Sequence, residues 1–370
     1  MTGEERVTAA LSFREADRVP HIDLYWGAFA QRWRRLRGLP TDPEREEDDP
    51  ARDPELDTYY EVDMALAIAD ESPWPSQAGF VRQEGEYEIH RDGWGRLLRQ
   101  RTGANFFGEY RVPLSDKSAL DGLVFEPPTS ELRYTRFLTR IDELRCRPSK
   151  PFIICKVGGP YLRSSFMRGQ EQWLMDMIED PGFVDALAGR VADHLIGVGL
   201  ESLQRGNLWH TGIGIYDDIA GNQGLIMGPR LYRRFFLPHM VRMVSAFKDA
   251  GARKVMFHSD GDIRAVVGDL VDAGIDAINP VEPRANMDAL ELRRKYEGKL
   301  AIVGGLCNSL IIPTGSKEEV RDHVLHVLRA GEGGGLVIGS HTIAPDISQE
   351  RYDYVMDLLR EHWHYPLQLP

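Results

Sequence analysis

The stretch Lys254-Val255-Met256-Phe257-His258-Ser259-Asp260-Gly261-Asp262 decides how this chain is read. A short apolar run bounded by a turn has the length of a buried strand rather than of a helix. It ends in an imidazole and a carboxylate, followed by a glycine. Alternate residues of a strand face the same side, so His258 and Asp260 are predicted to converge on one point beyond the strand end. The pattern returns in Leu336-Val337-Ile338-Gly339-Ser340-His341, behind the turn Gly333-Gly334-Gly335. Two strand-end histidines and a carboxylate are a candidate metal or acid/base site.

Working outward, further strand-like runs lie at 19–25, 64–68, 152–157, 212–216, 277–278 and 300–303. Helix-like stretches separate the later ones, at 171–179, 182–204, 230–249, 263–273 and 317–330, with a last one at 348–363. One helix between successive strands is the arithmetic of parallel βαβ units. About eight such strands favour a closed (β/α)8 TIM-type barrel over an open sheet. No GxGxxG follows the first strand, so dinucleotide binding has no support. Thr2 and Glu5 form a capping box for an N-terminal helical extension carrying Val7, Ala10 and Leu11. Residues 84–103 alternate around Arg91-Asp92-Gly93 and predict a β-hairpin inserted in a single domain spanning 1–370. The acidic, proline-bearing run 41–55 reads as a solvated loop, and Arg32, Arg34, Arg35 and Arg37 as a solvated helix face.

Composition narrows the function. The 370 residues are 42% hydrophobic and 28% charged, with a net charge of −12 and a mean hydropathy of −0.36. That balance argues against nucleic acid and anionic membrane as partners. Cys146, Cys155 and Cys307 form no CxxC pair, which fits a reducing compartment. With no apolar leader and no span-length run, a cytoplasmic enzyme is the expectation. In a barrel the active site forms at the C-terminal ends of the strands. That rule gathers Asp23, Asp217, Asp218, His258, Asp260, Asn279, Ser340 and His341 at one mouth, with Tyr25 and Trp26 as an aromatic wall for substrate.

The order of motifs resembles the superfamily of uroporphyrinogen decarboxylase and the corrinoid-dependent methyltransferases, nearly end to end. The resemblance begins with Glu5-Arg6-Val7, Asp17-Arg18-Val19-Pro20 and Gly158-Gly159-Pro160. It continues through Tyr216-Asp217-Asp218, His258-Ser259-Asp260-Gly261-Asp262, Asn279-Pro280 and Gly304-Gly305. It closes with Ser340-His341. The fold it implies is the same barrel. Its decarboxylase branch carries an arginine-rich segment after the first strand to grip several carboxylates. Here that segment is Ile22-Asp23-Leu24-Tyr25-Trp26-Gly27-Ala28-Phe29, without arginine, so the tetrapyrrole reading is disfavoured. His341 matches the histidine of that branch's closing motif, and Asp63 its strand-end aspartate. The methyltransferase branch carries a zinc site written His-x-Cys with a later Cys. Here Asp260 stands for the first thiolate and His341 for the second.

The resemblance therefore implies a divalent metal, zinc first, on His258, Asp260 and His341. A set of nitrogen and oxygen ligands is harder than a thiolate set and makes a stronger Lewis acid toward oxygen. The implied activity is methyl transfer, in the direction of O-demethylation, between a small methylated substrate and a corrinoid protein partner. A homodimer is a further expectation. Asp217, Asp218 and His341 are the candidate catalytic groups, and Asp23, Tyr25, Trp26 and Asn279 the substrate-binding ones. The alternative is a cofactor-free decarboxylase or lyase acting on a smaller acid through Asp23, Asp217 and His341. Against these stand plainer readings. One of Asp217 and Asp218 would cap the turn that follows them, His258, Asp260 and His341 would bond locally, and Cys307, His210 and His239 would only pack.

Overall fold

A computed structural model describes residues 1–46, 52–102 and 107–370. Its centre is a sheet of eight parallel strands: β1 (His21–Ile22), β2 (Met64–Ile68), β3 (Phe152–Gly158), β4 (Ile213–Tyr216), β5 (Val255–His258), β6 (Ala277–Asn279), β7 (Ala301–Gly305) and β8 (Leu336–Gly339). Hydrogen bonds join them in the order β1-β8-β7-β6-β5-β4-β3-β2. The backbone N–H of Asp63 donates to the His21 carbonyl at 2.8 Å across the remaining seam, so the sheet nearly closes on itself. This is the (β/α)8 barrel that the strand spacing predicts.

Two apolar cores follow from strand alternation. Helices such as Pro181–Gly206 and Gln349–His362 pack the outer core against the sheet. The inner core includes Met64, Phe152, Ile154, Met256, Ala301, Val303 and Val337. The N-terminal helix Gly3–Ala10 joins it through Val7, Ala10 and Leu11, so this helix plugs the barrel at the amino ends of its strands. Its start carries the predicted capping box between Thr2 and Glu5. With that end filled, a cavity can form only toward the carboxyl ends.

Elsewhere the structure refines the sequence reading. The hairpin of Tyr87–Arg91 and Leu97–Arg101 is flanked by Gly79–Glu84 and Phe107–Arg111, making a four-stranded antiparallel sheet. Residue 103 of the predicted insertion lies outside the described residues. So do residues 47–51 of the acidic run, whose ends carry a turn at Pro43–Arg45 and a helix at Pro54–Tyr59. The stretch 230–249 is two helices, Gly228–Phe235 and Leu237–Asp249. Pro238 has no N–H to continue the first ladder and instead suits the first turn of the second helix. Three of the four arginines are docked rather than solvated: Arg34 pairs with Asp53 at 2.9 Å, Arg37 lies 4.1 Å from the centroid of the Tyr59 ring, and Arg32 donates to the Pro345 carbonyl, while Arg35 is exposed, as expected, and pairs with Glu46 at the surface.

Candidate metal centre and its cavity

The carboxyl ends of β1 to β5, with those of β6 and β8, enclose a cavity of about 350 Å³. His258 is the last residue of β5 and is buried. Its Nδ1 lies 2.5 Å from Oδ1 of Asn279 at the end of β6, and Asn279 Nδ2 donates to the Val303 carbonyl at 2.9 Å. Because Nδ2 is committed to a carbonyl, Oδ1 must accept, and the His258 proton sits on Nδ1. The Nε2 lone pair is then free to face the cavity. Burial holds the imidazole down to about 4, which keeps it neutral. Tyr216 stacks on it with ring centroids 4.2 Å apart, fixing the ring plane.

Asp260 arrives by a different route from the one alternation predicts. β5 ends at His258, and the next residues form a turn rather than more strand. Ser259 pins that turn: its N–H donates to the Asn279 carbonyl, and its hydroxyl donates to the Asp260 carbonyl and accepts from the Ile219 N–H. The Asp260 N–H donates to Asp218, and that of Gly261 to Glu282. Gly261 sits at φ +84°, where a Cβ would meet the Gly221 carbonyl oxygen at 2.7 Å, so glycine is required.

The turn leaves Asp260 Oδ1 at 3.6 Å from His258 Nε2 and 3.7 Å from His341 Nε2. One ligand atom from each of the three residues lies within 4.8 Å of the others. The Asp260 side chain as a whole is 42% exposed, yet its Oδ1 is sealed from solvent and accepts no hydrogen bond among the described residues. Burial pushes its carboxyl up to about 6. A buried acceptor left without a partner is costly. Two ligands bound at about 2.1 Å to one tetrahedral ion stand about 3.4 Å apart, close to the separations seen here. The residues present fit a divalent ion, with nitrogen and oxygen donors that suit zinc and, with open positions, iron or manganese.

The other predicted residues divide. Trp26 lines the cavity, and its indole N–H is buried without an acceptor. Asp218 lines it too, with Oδ1 3.8 Å from His258 Nε2, and its hydrogen bond holds the Asp260 backbone. Asn279 touches the cavity, but its amide is spent on His258 and Val303, so its visible role is to orient the imidazole. Asp217 does not line the cavity. Its fully buried carboxylate accepts the N–H groups of Tyr161 and Leu162, capping the helix Pro160–Arg168 behind Gly159. Of the two aspartates, Asp217 is a cap, but of this earlier helix rather than of the turn that follows it.

Asp23 and Tyr25 are also drawn elsewhere. Asp23 accepts from Ser340 through its N–H and hydroxyl at 2.8 and 2.5 Å, and from the Tyr352 hydroxyl at 2.7 Å; His21 Nε2 lies 3.0 Å away. It thereby ties the end of β1 to the loop that carries His341. Tyr25 is buried against Phe29, Tyr60 and Tyr352. Both border a second cavity of about 400 Å³ beyond Leu24, Leu66 and Ile68. Asp63 lies at the opposite, amino end of the barrel, bonded to Arg6 and Arg18.

The sequence reading missed Tyr216, Lys156 and Arg163. The signal for Lys156 was present: a lysine at the third alternate position of an otherwise apolar strand, after Phe152 and Ile154. Cys307 is buried, and its N–H donates to His323. His210 sits at the surface, 3.5 Å from Glu4.

The sequence profile of the uroporphyrinogen decarboxylase (URO-D) family matches residues 116–362. No curated protein sequence matches the chain significantly. Among solved structures, a methyltransferase from Methanosarcina mazei aligns with a TM-score of 0.67 at 16% identity, covering 98% of this chain and 99% of that one. A B12-independent methionine synthase from Shewanella sp. W3-18-1 aligns with a TM-score of 0.45 at 12% identity, covering 95% and 96%. At 16% identity the likeness to the Methanosarcina mazei protein is one of fold. Among the described residues, no helix is long and apolar enough to cross a membrane.

Proposed function

This chain belongs to the uroporphyrinogen decarboxylase family, and from that premise we propose that it is a metal-dependent methyltransferase that takes a methyl group from a small O-methylated substrate and delivers it to a corrinoid protein. The observation that carries the reading is the unpartnered Oδ1 of Asp260 between the Nε2 atoms of His258 and His341. Structural likeness to the Methanosarcina mazei methyltransferase supports the choice of branch. So does the sequence after β1, which carries no arginine for a polycarboxylate.

His258, Asp260 and His341 would hold the ion. When bound, it would supply Lewis acidity toward the oxygen that loses its methyl group. The protein's own residues prepare that step. Asn279 fixes the tautomer of His258, and Asp218 and Ser259 hold the Asp260 turn. Leu24, Leu66, Ile68 and Met256 give the cavity apolar walls beside the candidate metal ligands. Transfer of the methyl group to the corrinoid partner would leave the carbon–oxygen electron pair on oxygen, and the ion held by His258, Asp260 and His341 would stabilise that charge. A carboxylate ligand in place of thiolate makes the centre harder, which favours an oxygen leaving group.

The alternative of a lyase using Asp23, Asp217 and His341 has no common cavity for those groups, since Asp217 is a helix cap and Asp23 is held by Ser340 and Tyr352. The test is to incubate zinc-loaded protein with cob(I)alamin and a panel of aryl and alkyl methyl ethers, following cob(I)alamin absorbance. Methylcobalamin should form with at least one ether and should cease to form after chelation. Chelator-insensitive release of carbon dioxide from a carboxylic acid, with no methylcobalamin, would replace this reading with the lyase.

A further inference from the structure

Lys156 is the feature of the cavity that the metal cluster leaves unused. It follows Phe152 and Ile154 on the inner face of β3, where those two are packed in the barrel core. The residue is half-buried, and its ammonium lies 4.7 Å from the centroid of the Tyr216 ring at the cavity surface. No described carboxylate lies within 4.0 Å of it, and it makes no hydrogen bond to a described residue. A charge placed this deep is normally paired. Burial correspondingly depresses the affinity of Lys156 for its proton.

Arg163 stands beside it, lying across Gly158, where a Cβ would meet the Arg163 Nε at 2.2 Å. One guanidinium nitrogen pairs with Glu71, which is itself held by the Gly158 N–H. The Arg163 Nε is buried without an acceptor, as is the Trp26 indole nitrogen across the same cavity. Those two nitrogens are sealed behind the cavity wall, whereas Lys156 is an unpaired cation at its surface, and it asks for an anion just as the Asp260 oxygen asks for a cation. The space between is bounded by Tyr216, Leu66 and Met256, an environment for an apolar or aromatic body.

We propose that Lys156 binds a carboxylate of the substrate, so that the molecule demethylated here is a methoxylated monocarboxylic acid of about benzoate size. The identity of the other end as an ether rests on the methyl-transfer reading; the carboxylate end does not. A phosphate is the poorer fit, because the site offers neither a run of backbone N–H groups nor a free bidentate arginine.

The probes are benzoate and benzamide, which share a shape and differ in charge, titrated calorimetrically into the full chain with zinc and after chelator treatment. Benzoate should bind at least about tenfold more tightly than benzamide in both states, as a charge-assisted hydrogen bond implies. Lys156→Met should abolish that preference without changing zinc content, and Lys156→Arg should retain part of it. If Lys156→Met does not fold, the wild-type comparison in both metal states and Lys156→Arg still decide. Equal affinity for the two probes, a preference that disappears with the metal, or one that survives Lys156→Met would overturn the assignment. A benzoate preference without any methyl transfer would sink the functional reading and leave Lys156 as an anion site.

Discussion

The Nδ1 of His258 and the Oδ1 of Asn279 stand 2.5 Å apart, joining the ends of β5 and β6, and that single contact aims the other imidazole nitrogen at Asp260 and His341. Partners of this kind set the tautomer and basicity of a ligating histidine. Asn279→Leu is expected to keep the fold and weaken zinc binding by about ten- to a hundredfold. Competition against a chromophoric chelator measures this. An unchanged affinity would mean that Asn279 serves the substrate rather than His258.

Asp260 would give the ion a carboxylate oxygen where the family resemblance implies a thiolate. Asp260→Asn removes a formal charge and should lower zinc affinity. Asp260→Cys should retain zinc while methyl transfer falls by about ten- to a hundredfold, as a softer ligand weakens Lewis acidity toward oxygen. Paired metal titrations and rates check both variants. Equal zinc affinity in wild type and both variants would remove Asp260 from the coordinating set.

Gly304 shows how tightly β7 is built at this mouth. Its φ is +115°, and a Cβ there would lie 2.0 Å from the Pro280 carbonyl oxygen, which also accepts the Gly305 N–H at 2.9 Å. Backbone cannot yield as a flexible side chain can. Gly304→Ala should destabilise the protein by about 3 kcal/mol or more, read from urea unfolding. A loss within about 0.5 kcal/mol, the range of an ordinary surface change, would show that the strand shifts freely.

Two histidines away from the candidate site govern stability in acid. Burial lowers both His194, whose Nε2 meets the Glu71 carbonyl at 3.0 Å, and His323, which accepts the Cys307 N–H, to about 4. An unfolded histidine titrates near 6.5. Between those values the unfolded chain takes up protons that the fold refuses. Stability is therefore fully present above about pH 6.5 and is lost as pH falls toward 4, by roughly 3 kcal/mol per histidine at most. His323→Gln, which can still accept from Cys307, should flatten the dependence. Chemical denaturation from pH 7 to 4.5 checks it, and a wild-type stability that does not fall over that interval would contradict the account.

How far the site was legible depended on whether a residue's role is local. The apolar runs at 64–68 and 336–338 mark their strands nearly to the residue, because a buried parallel strand needs an unbroken apolar stretch. Thr2 and Glu5 announce their helix for the same local reason. His258 and His341 could be placed at one mouth from barrel geometry alone. Asp217 could not be told from Asp218, since the helix that Asp217 caps begins more than fifty residues earlier in the chain, at Pro160. The attachment of Asp23 to Ser340 and Tyr352 spans the whole barrel and has no spacing signature. Asp260 was predicted to converge with His258 by alternation; it does so through a hydrogen-bonded turn, which alternation does not describe.

The central claim is that His258, Asp260 and His341 hold a divalent ion. Metal content by mass spectrometry, on protein purified without chelator, tests it most directly. About one equivalent of zinc, iron or manganese per chain is predicted, falling below about a tenth in His258→Ala and in His341→Ala, because a structural or catalytic site rarely survives the loss of one of three protein ligands. Less than about a tenth of an equivalent in the wild type after incubation with zinc, or a full equivalent that both substitutions leave unchanged, would contradict the account.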